Sequence, residues 1–430
     1  MRNIPVQGFK GLNNVELDSY LQRFDDLGRL RVFQREINNI DVGNFEEIRR
    51  ADGYAKLLDF TNAHSLWMFE KLGYGLFIEN NNLRLLWNDN GIFQTSILRN
   101  DCYSGNSLYC LDIYDRVYYS DGIISGIVKE GINMNWGLDI PKIRALTSIG
   151  GQLKKGLYRI ALTYMRYDGV ESGASQVTTF NVTQDGNEGI YISFEYPFDD
   201  NITLINIYVS APDGEELYLT SSIRKNYNGS WQTSFSYDSE YLTLPLDKIG
   251  LNKPPVGQLL ELYNQRIYIA QNNVLFYTEP LNYELYNEVF NFFPFDTKIT
   301  MIMSSGTGLY ISTVKDIYYL TGAMPEQFRY NKIYDYGIFE GMFVNVGTKE
   351  INQQNIDFYG VTERGIVAGK GGAITNITEN YFRPELIAKS GWRLYREKSD
   401  LRQIYFCYQA QREQHIEATL PKITGQMNVI

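Results

Sequence analysis

Five stretches of the chain repeat one design: a short apolar run, three or four turn-forming residues, and a second short apolar run. They are GLFIENNNLRLLW (75–87), RVYYSDGIISGIV (116–128), RIYIAQNNVLFY (266–277), GLYISTVKDIYYLTG (308–322) and DFYGVTERGIVAGKGGAITNIT (357–378). β-Branched and aromatic residues fill the runs, and Asn, Asp and Gly fill the turns, so each stretch reads as a β-hairpin. In the last, a Gly371-Gly372 turn leads into a further strand. A lone hairpin is marginal in water because one face stays wet. Several of similar size can cover one another by stacking radially as propeller blades, which leaves only short edges. A sandwich of the same hairpins competes with this arrangement, and the propeller is favoured. No fixed period links the units, so the repeat is one of architecture.

Residues 138–250 break the rhythm with longer strands and turn signals about every ten residues. In GLYRIALTYMRYDG, Leu157, Arg159 and Ala161 alternate with Tyr158, Ile160 and Leu162, the period of a strand with one buried face. The segment reads as an inserted immunoglobulin- or fibronectin-like sandwich. It lacks the paired cysteines of an antibody domain, so fibronectin-like fits better. LNKPPVG (251–257) reads as a stiff return linker. The expected organisation is all-β: 1–137 holds an N-terminal segment and the first blades, 138–250 the inserted sandwich, and 251–430 the remaining blades and a C-terminal tail. Near the start, DVGNFEEIRRADGY reads as strand, turn, strand, and a short helix is expected between Asp18 and Asp26.

With 44% hydrophobic and 21% charged residues over 430 positions, the chain belongs with well-packed proteins. Its 34 tyrosines suit strands, and they also suit protein interfaces, since each offers apolar area with a polar tip. The net charge of −10 argues against a surface that grips nucleic acid; the densest basic runs are the pairs Arg49-Arg50 and Lys154-Lys155. Cys102, Cys110 and Cys407 are odd in number, so buried free thiols are expected. The opening MRNIPVQGFKGLNN lacks the apolar core of a signal peptide, and no run has the length of a membrane span. The expected setting is a reducing cytoplasm, with release only inside a larger particle. The Asn-x-Ser/Thr triplets at Asn181, Asn201, Asn228 and Asn376 then read as chance matches.

Reactive constellations are sparse. His64 and His415 are the only histidines, too few and too far apart for a zinc site, and no Gly-x-Ser-x-Gly elbow occurs. GKGGAITN (369–376) continues as a strand instead of a helix, so it reads as a turn and not as a phosphate loop. Asp25-Asp26, Asp199-Asp200 and Glu215-Glu216 are adjacent carboxylates; neighbouring strand residues face opposite ways, so none of these pairs can flank one sugar. No enzyme, metal or cofactor is expected.

Where the hairpins are read in order, the chain resembles propeller-type nozzle or tail-tube (hub) virion proteins of short-tailed bacteriophages. NQRIYIAQNNVLFYTEPLNYELYN followed by KITMIMSSGTGLYISTVKDIYYLTGAMPEQF is similar to a blade ending in Ser/Thr-Glu-Pro and its successor, and VTERGIVAGKGGAITNITENYFRP to the next blade. GFKGLNN and NIDVGNFEEIRRADGY resemble the family's opening, although Ala51-Asp52-Gly53 departs from its usual Arg-Pro-Gly. GGQLKKGLYRIALTYMRYDGVESGAS is similar to the sandwich often inserted there. The resemblance implies a structural protein of the virion. Such a protein forms an oligomeric, hexameric ring around the DNA exit channel and contacts portal or adaptor proteins and tail fibres or spikes. It would be made in the host cytoplasm and would let double-stranded DNA pass without specific binding. Six copies would carry 6 × −10 = −60 charges, suited to a wall without Lys/Arg–phosphate brakes. Asp121, Asp213, Glu215 and Glu216 are the candidate channel-lining acids. The alternatives are a receptor- or glycan-binding tail module and, behind it, a propeller glycoside hydrolase.

Overall fold

The computed structural model describes residues 58–378 except 70, 104, 227–228, 323 and 346–355. Beyond them it describes the backbone of strands Phe9–Leu12, Gln22–Phe24, Leu30–Gln34, Ile40–Val42, Ile48–Arg50, Trp392–Arg396 and Arg402–Phe406.

Five four-stranded antiparallel sheets, numbered I to V here, follow one another, and in each the strands pair in chain order. Sheet I comprises Ala63–Phe69, Tyr74–Glu79, Asn82–Asp89 and Ile92–Arg99; sheet II comprises Tyr109–Ile113, Arg116–Ser120, Ser125–Lys129 and Ile132–Met134. Sheet III is Leu259–Tyr263, Arg266–Gln271, Val274–Tyr277 and Phe292–Pro294; sheet IV is Ile299–Ser304, Leu309–Thr313, Ile317–Thr321 and Arg329–Tyr334. Sheet V is Ile338–Asn345, Phe358–Thr362, Gly365–Lys370 and Ala373–Asn376. Each hairpin read from the sequence forms the second and third strands of one sheet. Tight turns join the strands: Asn80-Asn81 between the second and third strands of sheet I, and Asn90-Gly91 and Gly371-Gly372 between the third and fourth strands of sheets I and V, place both central residues in the left-handed region, the twist that tight hairpins need.

The first strand of every sheet lies against the first strand of the next, and Trp392–Arg396 continues the series beside Ile338–Asn345. The body is therefore all-β and propeller-like. Second strands are buried on both faces, which explains why they read as nearly continuous apolar runs. Val117 and Tyr119 of sheet II pack with Leu76 and Ile78 of sheet I. Tyr118, between them, packs with Ile267 and Ile269 of sheet III. Tyr268 and Ala270 in turn pack with Met301 and Ile311 of sheet IV. Each buried Val, Leu, Ile or Met among these contributes roughly 1.5–3 kcal/mol by burial. Tyrosine suits these layers because its hydroxyl can reach across them. The Tyr310 hydroxyl of sheet IV donates to Asp357 Oδ2 (3.1 Å) and accepts from the Gly372 amide (2.6 Å), both at the edges of sheet V strands.

Between sheets II and III the chain leaves to build a two-sheet sandwich. Ile143–Ile149, Gly189–Phe194 and Ser234–Tyr237 form one sheet; Thr178–Val182, Gly156–Arg166, Ile202–Ser210 and Leu217–Arg224 form the other. Tyr158, Ile160, Leu162 and Tyr164 meet Ile190, Ile192 and Phe194 in a core between them. Ala161 points the other way and packs with Ala174, Tyr208 and Leu217. Leu251–Asn252 returns the chain by pairing with Tyr286–Asn287; this stretch, read as a linker, is held in a ladder.

Other expectations divide. Ile40–Val42 pairs antiparallel with Ile48–Arg50, as the strand reading expected, and the Gly43-Asn44 turn read between them lies outside the described residues. The helix expected between Asp18 and Asp26 is overturned at Gln22–Phe24, a strand whose backbone groups are taken by antiparallel pairing with Leu30–Val32; its flanking residues lie outside the described ones. Cys102 and Cys110 are buried, and burial pushes the Cys102 thiol up to about 12. Asp25, Asp26, Cys407 and His415 lie outside the described residues.

Two predictions follow from the stacking. At Gly337, where sheet IV meets sheet V, a Cβ would collide with the Thr313 carbonyl and the Val314 backbone. Gly337→Ala should therefore lower stability by about 1–3 kcal/mol, read as an earlier denaturant midpoint. Glu261, half-buried in the first strand of sheet III, accepts hydrogen bonds from the Ser304 amide (3.1 Å) and hydroxyl in sheet IV. Burial pushes its carboxyl up to about 7, against the opposing pull of those bonds. The folded state thus holds this proton above the unfolded carboxyl range, and the stability it contributes is lost as pH rises through about 7. Glu261→Gln should flatten the decline between about pH 5 and pH 8, a difference of the order of 2 kcal/mol, measured by denaturation across that range.

Candidate functional site

Sheets II and III adjoin in space although the chain between Ile132–Met134 and Leu259–Tyr263 runs by way of the sandwich, and the three parts meet at one open cavity of roughly 560 Å³. Its floor is ionic. Arg116, which opens the second strand of sheet II, donates from Nη1 to Glu284 Oε1 (2.7 Å) and pairs through Nη2 with Asp168 Oδ2 (3.1 Å). Glu284 belongs to the loop of sheet III and Asp168 to the sandwich turn after Gly156–Arg166, so one guanidinium holds three parts together. Arg166, only 1% exposed, grips the other side of Asp168 through Nε (2.8 Å) and Nη2 (3.1 Å) and donates from Nη1 to the Asn135 carbonyl (2.8 Å). Planar guanidinium groups suit this bidentate geometry.

Tyr118 completes the floor by donating to Glu284 Oε1 (2.9 Å). Burial, then the Glu284 charge, push its phenol far above the usual range. Its ring lies 5.3 Å from Trp136 and 5.9 Å from Tyr283, and Trp136 Nε1 donates to the Tyr283 carbonyl (2.8 Å). Burial alone would raise the Asp168 carboxyl. The hydrogen bonds and charge of Arg166, with the charge of Arg116, outweigh it and hold that carboxyl below the usual range.

Chemically the floor is a clamp. A sugar-cleaving pair needs one carboxyl kept protonated near neutrality beside one ionised. Here Asp168 is held ionised between two arginines, and Glu284 is tied to Arg116 and Tyr118. Among the described residues no group of three or more His, Cys, Asp or Glu is placed to hold a metal ion. No helix there is long and apolar enough to cross a membrane. His64 sits in the first strand of sheet I with its Nδ1 2.9 Å from Ser65 Oγ.

The four acids singled out from the sequence are not brought together. Asp121 is not a surface acid able to line a channel: it is 1% exposed, and its carboxylate is taken up by its own turn and by the loop at Tyr103. It accepts from the amides of Ile123 (2.8 Å), Ile124 (2.7 Å) and Tyr103 (3.1 Å), the bonding expected of an Asp that shapes a turn. Asp213, Glu215 and Glu216 are exposed together at the turn joining Ile202–Ser210 to Leu217–Arg224 of the sandwich. Asp213 Oδ1 accepts from the Leu157 amide (2.9 Å), and Glu216 from the Tyr218 hydroxyl. Asp199 and Asp200 diverge as adjacent residues should: the first accepts from Asn135 Nδ2 (2.9 Å), the second pairs with Lys225 (3.0 Å). Sequence reading missed Arg116, Asp168 and Glu284. The only local signal was the turn Tyr167-Asp168-Gly169, which says nothing of a partner far along the chain.

No family model matches this chain, and no curated protein does. Among solved structures it is similar to Sqt1 of Saccharomyces cerevisiae, at 9% identity over 71% of this chain and 92% of that one, with a TM-score of 0.19. It is also similar to the AfRom2 CNH domain, at 7% identity over 84% of this chain and 92% of that one, with a TM-score of 0.23. Likenesses at such scores carry no argument about function.

Arg116→Met should leave Glu284 and half of Asp168 unpaired, costing about 2–4 kcal/mol. The expected readouts are an earlier unfolding transition and faster proteolysis of the chain on either side of the sandwich. Lys253→Ala, which removes the exposed pair with Asp139, should change stability by less than about 0.5 kcal/mol.

Proposed function

We propose that the chain is a structural protein of a bacteriophage tail, a nozzle or tail-tube component that assembles into an oligomeric ring around the DNA exit channel. The observation that carries the reading is the agreement between the ordered motifs and the architecture. Three of the stretches on which the resemblance to nozzle and tail-tube proteins rests coincide with the successive sheets III, IV and V of a propeller-like body, and a fourth with the sandwich between sheets II and III. In this reading the sandwich is fibronectin-like, and the ring is a hexamer that contacts portal or adaptor proteins and fibres or spikes within the virion.

The ionic floor supports a mechanical role, because paired charges and a shared guanidinium resist relative motion of propeller and sandwich. Large exposed apolar side chains such as Phe198, Phe290 and Tyr330 are suited to anchor ring contacts, where aromatic residues contribute most. Contacts in such a ring are heterologous, one patch meeting a different patch until rotation closes the circle. Asp213, Glu215 and Glu216 lie together on the sandwich turn, so any acidic lining from this set would come from the sandwich rather than from the sheets.

The test is assembly. Purified protein mixed with a portal–adaptor complex should give a ring of defined stoichiometry by light scattering and electron microscopy. Protein that stays monomeric, ignores the complex and instead retains a purified host surface glycan would replace this reading with the receptor-binding one.

A further inference from the structure

The cavity at the joint has one charge left over. Its lining acids are Asp115, Asp168, Glu171 and Glu284, and three of them have a basic partner: Asp115 with Lys129 (2.9 Å), Asp168 with Arg166 (2.8 Å) and Glu284 with Arg116 (2.7 Å). Lys248, the other lining cation, pairs with Asp247 (2.8 Å). Among the described residues Glu171 has no cation within ion-pair distance. It is nevertheless half-buried and held in place, since its Oε1 accepts from Asn206 Nδ2 (2.9 Å), the Tyr208 hydroxyl (2.8 Å) and the Thr163 hydroxyl. Three neutral donors on one oxygen orient the carboxylate and leave it without a counter-ion of its own.

The mouth of the same cavity has a second peculiarity. Tyr114 is 83% exposed and Leu281 58% exposed, and both line the cavity. Both also sit in the left-handed region, at φ 55° and 60°, where a bulky side chain is strained. The strain is held by structure: Tyr114 lies in the tight turn that pairs Ile113 with Arg116, and the Leu281 amide donates to the Gln265 carbonyl (2.9 Å). An aromatic ring and an apolar side chain lining the same cavity as a fixed carboxylate suit a cation carried on an apolar stem.

We propose that this cavity binds an ammonium or guanidinium group on an aliphatic stem, with Glu171 as its counter-ion and Tyr114 and Leu281 flanking the stem. The site stands independently of the tail reading. An anion is disfavoured because both lining cations are already paired, and a neutral polyol would leave Glu171 uncompensated.

The test is calorimetric titration of the full chain with butylguanidine, N-acetyl-arginine amide, a blocked Gly-Arg-Gly tripeptide and the uncharged isostere N-acetyl-citrulline amide. The three cationic probes should saturate, and the citrulline probe should bind at least about tenfold more weakly. Added salt should weaken the cationic probes only. Tighter binding of the tripeptide than of butylguanidine identifies the source as a basic side chain of a partner polypeptide; equal binding identifies a small amine. Glu171→Gln should lose about tenfold in affinity for every cation, and Tyr114→Ala, at an exposed position, should weaken them with an unchanged melting transition. If Glu171→Gln does not fold, Glu171→Asp, which withdraws the charge by one methylene, should show the same loss. Equal binding of citrulline and arginine, affinity unchanged in these variants, or no saturation by any cation would overturn the proposal.

Discussion

Each four-stranded sheet of this protein has two apolar faces and can cover neither by itself. That constraint organises everything else. Tyr118 points one way and Val117 and Tyr119 the other, so sheet II needs a neighbour on each side. The same holds for sheet III, where Ile267 and Ile269 oppose Tyr268 and Ala270. Radial stacking satisfies all of them at once, whereas a flat two-layer packing would leave one face of every sheet in water.

Stacking also explains how a sandwich can be inserted without breaking the body. Sheets II and III pack through a shared core, and the excursion between them leaves and returns on the same side, where Leu251–Asn252 pairs with Tyr286–Asn287. The junction is polar because three loops converge there, each with backbone and charged groups that a hydrophobic seam would strand. Arg116 answers this by serving Glu284 and Asp168 together, with Arg166 behind. A joint of this kind fixes the orientation of the sandwich on the body. It also creates a cavity whose charges are balanced except at Glu171.

The hairpins were legible because their information is local. Short apolar runs, β-branched residues and turn-forming residues all lie within a dozen positions of one another, and so the central strands of all five sheets could be read directly. Outer strands such as Arg329–Tyr334 are mostly exposed and carry little apolar pattern, so they were silent. The acids show the limit of the same reading. Asp121 and Asp213 both occupy turns, but Asp121 faces inward over the amides of Ile123 and Ile124, while Asp213 stays at the surface of the sandwich.

The sequence by itself determined the all-β character, the positions of the tight turns and the strands that must lose both faces to neighbours, because each follows from steric preference and apolar periodicity over short spans. Tertiary structure alone decided which distant charges meet. Arg116 and Glu284 lie 168 residues apart and come within hydrogen-bond distance only because the chain returns beside its point of departure. No local pattern encodes that approach, since the energy that drives it is the burial of whole sheet faces, and the charges are carried into place with them.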